Sequence, residues 1–233
     1  MNMAQKGSFR KWNEEMVNKY NPEDYIFHSN VLVRLVELKR FRKIVDFLSL
    51  NNMDDLLDIG CGSGYLLNQA ICKRGVGVDI SDLMVRTARA NCKSNVRKFI
   101  VQADVESLPF KNRSFNKIVS TEVIEHILHP MALLKEIERV SKDNALIIIT
   151  IPNERLINRI KSVIFSFGLY KFLFRKGYRP SRKMEDEWHL HTFNINKFKE
   201  LIEGRFIIKK TIAIPTIFFP LRYIFHLGLK RVS

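Results

Sequence analysis

Apolar residues between positions 8 and 50 recur at helical spacing: Val31, Leu32, Leu35, Val36, Leu38, Phe41, Ile44, Val45, Phe47 and Leu48. Such positions share one face of a helix that turns every ~3.6 residues. Lys39, Arg40, Arg42 and Lys43 fall between them and are expected on a solvated outer face. Past residue 50 the pattern shortens into apolar runs of strand length at 55–59, 75–80, 96–104, 114–120 and 145–151. Between them lie helix-compatible segments, one with Leu66, Leu67 and Ala70, one with Met84, Val85 and Ala88, and one over 130–140 with Met131, Leu134, Ile137 and Val140. Strands alternating with helices predict an α/β fold with a doubly wound, mostly parallel sheet, whose ligand lies at the carboxyl ends of the strands. The run at 145–151 is apolar throughout, as expected of a strand buried on both faces. Residues 207–214 read as an edge strand.

Three strand ends carry polar chemistry. The first run of strand length leads into Asp58-Ile59-Gly60-Cys61-Gly62-Ser63-Gly64, with glycine at alternate positions. Glycines there permit turn angles closed to other residues and let a ligand lie against the main chain. The spacing G-x-G-x-G is not the G-x-G-x-x-G of dinucleotide folds, and no Lys-Ser or Lys-Thr pair follows to make a P-loop. The second run ends in Asp79, at the right distance past the loop to accept hydrogen bonds from ribose hydroxyls. Ser81-Asp82 follow as a helix cap. The third run ends in Asp104.

Lysine and arginine number 39 against 24 acids in 233 residues, a net charge of +15, so the surface is expected to favour an anionic partner, nucleic acid or lipid headgroups. A hydrophobic content of 46% excludes a disordered chain. One domain is expected, with residues 1–50 as an amino-terminal helical cap and 51–233 as the catalytic unit. Cys61, Cys72 and Cys92 lack metal-type spacing and read as reduced structural residues, which suits the cytoplasm. No apolar segment of a secretory signal is visible at the amino terminus.

D-I-G-C-G-S-G at 58–64, G-V-D-I-S at 77–81, Q-A-D-V-E-S-L-P-F at 102–110 and T-E-V-I-E-H-I at 121–127, in this order, resemble the class I S-adenosylmethionine-dependent methyltransferases. The resemblance covers about residues 45–153 and is nearest the group containing the ubiquinone-biosynthesis O-methyltransferases and the type 11 and 12 methyltransferase domains. It implies a Rossmann-like seven-stranded sheet with S-adenosyl-L-methionine as cofactor. Asp58, Gly60, Cys61, Gly62 and Gly64 would hold the methionine part, Asp79 and Ile80 the ribose, and Asp104 with Val105 the adenine. Asn116 departs from the family pattern, which has aspartate there.

Glu122, Glu125 and His126 stand at i, i+3 and i+4, so a helical turn would aim all three at one point. Two carboxylates and an imidazole suit Mg²⁺ or Mn²⁺. His126, Glu125 and His189 are the candidate catalytic residues. Trp188-His189-Leu190-His191-Thr192-Phe193 offers a further donor; by resemblance to the small-RNA 2′-O-methyltransferases, a second metal-using branch, His191 completes the ligand set and His189 meets substrate. A Glu-His pair of this kind also lines adenine pockets without a metal.

Residues 153–185 interleave arginine and lysine with large apolar residues and, from Arg155, hold no acid before Glu185. That is the pattern of a basic amphipathic insertion in a membrane interface, and it also fits an RNA backbone. The aliphatic content favours lipid. Residues 215–233 read as an apolar and basic tail at a bilayer surface or as a closing strand; two prolines, Arg222 and His226 make them a poor membrane span. The expectation is an O-methyltransferase acting on a small lipid-like acceptor, in the cytoplasm or at the inner membrane face, possible metal assistance included. An RNA ribose methyltransferase and a non-catalytic cofactor-binding subunit are the alternatives.

Overall fold

A computed structural model of the chain describes residues 3–20, 31–168 and 188–230. Among the described residues, helices α1 (Met3–Lys19) and α2 (Val31–Leu48) precede the sheet. There follow β1 (Asp55–Ile59), α3 (Tyr65–Gln69), β2 (Arg74–Asp79), α4 (Asp82–Asn91), β3 (Lys98–Gln102), β4 (Phe115–Thr121), α5 (Pro130–Val140) and β5 (Ser141–Pro152). The described residues continue with α6 (Glu154–Ser166), α7 (Ile195–Ile202), β6 (Phe206–Pro215) and β7 (Pro220–Leu229). The seven strands lie in the order β3-β2-β1-β4-β5-β7-β6.

β1, β2, β3, β4 and β5 pair in parallel, and β7 alone runs against its neighbours. Leu57, Ile59, Ile147 and Ile149 point to the face covered by Leu133, Leu134 and Ile137 of α5 and Phe198 and Ile202 of α7. Leu56, Val119, Ile148 and Ile224 point to the other, covered by Ile44 and Leu48 of α2 and Leu66 and Leu67 of α3. Two covered faces remove the apolar-polar alternation, and this is why β5 reads as an unbroken apolar run. Ser81 caps α4 as expected, its hydroxyl accepting the Met84 N–H at 3.2 Å. The three cysteines are free and buried.

Of the two carboxyl-terminal readings, the closing strand is the one the structure has. Residues 220–229 are no surface tail but strand β7, inserted between β5 and the edge strand β6, with Phe225 and Leu227 fully buried. Pro215 and Pro220 bracket the β6–β7 turn, where the missing N–H groups cost the ladder least. The basic insertion is described only in part: 154–166 form α6, and 169–187 lie outside the described residues.

Asn116 has a local reason. Its Nδ2 donates to Asp54 Oδ1 at 2.6 Å, and its Oδ1 accepts the Asp55 N–H at 2.7 Å. Asp54 is 3% exposed. An aspartate at 116 would set two carboxylates against each other with no proton between them. Asn116→Asp is therefore expected to cost about 1–3 kcal/mol, read as a lower urea midpoint at neutral pH. An unchanged midpoint would show that the amide donor is dispensable.

Candidate active site

The strand order reverses at β1, which is flanked by β2 and β4, and a crevice opens above its carboxyl end. The glycine loop forms its floor. Gly60 has φ +67°, and a Cβ there would sit 2.3 Å from Val123 Cγ2, so any side chain would push β1 and the segment after β4 apart. Gly62 has φ +51° and nothing within 4 Å of its Cβ position, which leaves its main chain open to a ligand. Asp79 fixes the loop: Oδ2 accepts the Gly62 N–H and Oδ1 the Ser81 N–H, each at 2.9 Å. Burial lifts the Asp79 carboxyl above its ordinary value despite these donors. Asp58 is 2% exposed, and burial together with the charge of Asp79 pushes its carboxyl up to about 8.

A cavity of about 540 Å³ joins these groups. Asp58, Gly60, Cys61, Gly62, Asp79, Ile80, Asp104 and Val105 all line it, as the sequence places them. Gly64 is set back from it, as the amino-terminal cap of α3 packed on Ala88. The roof comes from the amino-terminal helical segment, although no local signal marks which of its residues face the site. Phe9, Asn13 and Val17 of α1 line the cavity from above, and Glu14 accepts the Asp82 and Leu83 N–H groups at 2.9 and 3.0 Å. A carboxylate at the positive end of α4 thus clasps α1 over the site.

Arg40 also corrects an expectation. It is 6% exposed rather than solvated, while Lys39, Arg42 and Lys43 do face water. Its Nη2 meets Glu37 Oε2 at 2.8 Å, and Arg222 of β7 reaches Glu37 Oε1 and Glu122 Oε2, both at 2.9 Å. Thr150 donates to Glu122 Oε1 at 2.8 Å. Among the described residues Arg40 Nε and Nη1 have no hydrogen-bond partner; Nη1 stands 3.7 Å from Glu122 Oε1, and the residue lines the cavity. Against the upward push of burial, Arg222 and Arg40 hold the Glu122 carboxyl below its ordinary value.

Glu122 is thereby removed from the expected metal set. No helix forms over 122–128; Glu122 itself takes φ +53°, which turns its side chain toward the arginines. His191 is removed as well, since its Nε2 lies 2.9 Å from the Ile127 carbonyl oxygen and 3.3 Å from that of Leu128. Glu125, His126 and His189 do come together, each with a ligand atom within 4.8 Å of the others. The Leu190 and His191 N–H groups donate to the Glu125 carbonyl at 2.8 and 3.1 Å and hold the two segments side by side. The His126 and His189 rings stand edge to face with centroids 4.6 Å apart.

Each ring has one nitrogen committed. His126 Nδ1 lies 3.3 Å from the Trp188 carbonyl, and His189 Nδ1 lies 3.2 Å from Glu154 Oε1. Both contacts call for Nδ1–H, leaving Nε2 as the basic nitrogen. Burial, aided by His189, pushes His126 down to about 3, so its ring is neutral. Glu125 is fully buried, neither carboxylate oxygen has a hydrogen-bond partner among the described residues, and burial with the Glu122 charge lifts its carboxyl well above the ordinary range. Glu154, the residue that orients His189, is 1% exposed and follows the Asn153 cap of α6. Sequence reasoning missed it because nothing in a helix's first turn announces a contact 35 residues away.

Residues 57–149 match the family described as "Methyltransferase domain". An uncharacterized protein of Methanocaldococcus jannaschii is 32% identical over 149 residues, covering 64% of this chain and 53% of that one. The ubiquinone biosynthesis O-methyltransferase of Pelagibacter ubique is 28% identical over 121 residues, covering 51% of this chain and 50% of that one. The chain thus spans about half the length of these two relatives. Among solved structures, magnesium protoporphyrin IX methyltransferase from Synechocystis with bound SAH superposes with a TM-score of 0.68 at 16% identity, over 96% of this chain and 100% of that one. At that identity the likeness concerns the fold.

Proposed function

We propose that the chain is a class I S-adenosylmethionine-dependent methyltransferase, as its methyltransferase-domain match and its relatives support, and that it moves the cofactor's methyl group to a hydroxyl oxygen of a small lipid-like acceptor. One observation supports this above the others: a single cavity runs from the glycine loop, Asp79 and Asp104 to Glu125, His126 and His189. Cofactor and acceptor sides share one space. Asp58 faces the amino group of the methionine part and Arg40, with its unbonded Nε and Nη1, the carboxylate. Asp79 takes the ribose and Asp104 the adenine. The acceptor end is walled by Ile157, Ile160, Trp188, Phe219 and Leu221, which suit an apolar body better than a polynucleotide.

Methyl transfer is a displacement at a carbon already activated by its sulfonium, so the protein has to align the oxygen and take its proton. His189 Nε2 is the base, and Glu154 fixes its tautomer and steadies the imidazolium that forms. The oxygen–methyl bond forms as the methyl–sulfur bond breaks, yielding a methyl ether and S-adenosylhomocysteine.

The same three side chains fit a divalent cation, because Glu125 offers two buried oxygens without hydrogen-bond partners and two imidazoles stand beside it. Two nitrogen donors favour Mn²⁺ over Mg²⁺. Such an ion would bind the acceptor hydroxyl and lower its pKa, with His189 then a ligand rather than the base.

The test is incubation with methyl-deuterated cofactor and a cell extract, followed by mass spectrometry of the lipid and RNA fractions. Label in a lipid-soluble methyl ether is expected. Label in ribose would make the protein an RNA methyltransferase, and bound cofactor without transfer a supporting subunit. Turnover unaffected by chelator, with no broadening of the Mn²⁺ paramagnetic signal by the protein, would remove the cation.

A further inference from the structure

We propose that the turn between β6 and β7 inserts into a bilayer surface rich in anionic phospholipid, with α6 lying beside it, so that the acceptor reaches the cavity from the membrane. The inference rests on the methyl-transfer reading only for the use of the surface. Turns favour glycine and small polar residues, yet this one presents Ile217, Phe218 and Phe219, exposed by 78%, 94% and 46%. Three large apolar side chains exposed on one turn mark a contact with something apolar.

The neighbouring helix has the matching character. Val163 and Phe167 at its carboxyl end are 54% and 75% exposed, and Arg155 and Arg159 also face solvent. Asn153, its cap, donates its N–H to the Leu221 carbonyl and its Nδ2 to the Pro220 carbonyl, each at 2.8 Å, so the helix start is tied to the strand that leaves the turn. Apolar residues beside arginines are what the headgroup and acyl boundary accepts. The chain's charge of +15 supplies the attraction to an anionic leaflet.

Continuity with the cavity gives the surface its use. Phe219 belongs to the exposed turn and Ile157 and Ile160 to the helix, and all three line the cavity. An acceptor withdrawn between turn and helix would keep its apolar part covered on the way in. RNA is the weaker occupant, since Ile217 and Val163 have no ring to stack on a base.

The full chain is tested by flotation with vesicles of phosphatidylcholine, alone or mixed with phosphatidylglycerol. Binding to the mixed vesicles is expected, weakened roughly tenfold or more by the double substitution Ile217→Asp and Phe218→Asp. Calorimetric affinity for S-adenosylmethionine stays unchanged in that variant and shows its fold to be intact. In the single variant Phe218→Trp, the added indole emission shifts to the blue and is quenched by brominated lipid. A parent chain that stays in solution with both vesicles, a double variant that floats as well as the parent, or indole emission that brominated lipid leaves unquenched overturns the proposal, as does retention by RNA alone. A parent chain that transfers label but does not float would sink the surface and spare the reaction; a parent chain that floats but transfers no label does the reverse.

Discussion

Replacing His189 with alanine is expected to slow methyl transfer about 10²- to 10⁴-fold while leaving affinity for S-adenosylmethionine nearly unchanged. His189 borders Glu125 and His126 rather than the glycine loop, and its Nδ1 is held by a carboxylate that is 1% exposed. Buried carboxylates are retained at a cost, and here the return is an imidazole with one tautomer and one orientation. Glu154→Gln should give an intermediate loss, because an amide oxygen still accepts the Nδ1–H but cannot steady the imidazolium. The loss in Glu154→Gln should fall on the transfer rate and leave the cofactor dissociation constant in place. Single-turnover rates on labelled cofactor measure both variants. Equal rates for parent and His189→Ala would remove the residue from the chemistry.

The second large effect is on cofactor binding and its pH dependence. Asp58 is pushed up to about 8 by burial and by Asp79, so in the empty site it holds a proton at neutral pH. The ammonium of the cofactor's methionine part needs the carboxylate, and binding below that value must expel the proton. Affinity should therefore rise roughly tenfold per pH unit up to about 8 and level off above it. Calorimetry in buffers of different ionisation enthalpy should detect release of about one proton at neutral pH. Asp58→Asn should flatten this dependence and weaken binding roughly 10- to 100-fold at the upper end. An affinity flat from pH 6 to 8 in the parent would refute the coupling.

What was legible in the chain is what local order encodes. The step from β1 into Gly60-Cys61-Gly62, the acid ending β2 and the Ser81 cap are contiguous signals, and each residue stands where its spacing put it. The helical character of the roof was legible, but its clasp was not, because Glu14 acquires meaning only through Asp82 and Leu83, far along the chain. Arg40 reads as solvated because arginine usually is; only Glu37 on the preceding turn and Arg222 far along the chain reveal a buried pair. The set Glu122, Glu125 and His126 failed as a unit because i, i+3, i+4 spacing converges only on a helix, and the chain turns left-handed at Glu122 instead. His189 and His191 are indistinguishable by sequence; carbonyl oxygens of Ile127 and Leu128 claim one, and Glu154 claims the other.

The network of Glu37, Arg40, Glu122 and Arg222 balances two positive against two negative groups in a place water scarcely reaches. Altering one member strands a buried charge at a cost of several kcal/mol, about 3–5 for such pairs. Drift at these four scattered codons is therefore constrained jointly: descendants of this gene should keep all four or exchange them together, so that the quartet is inherited as a single trait.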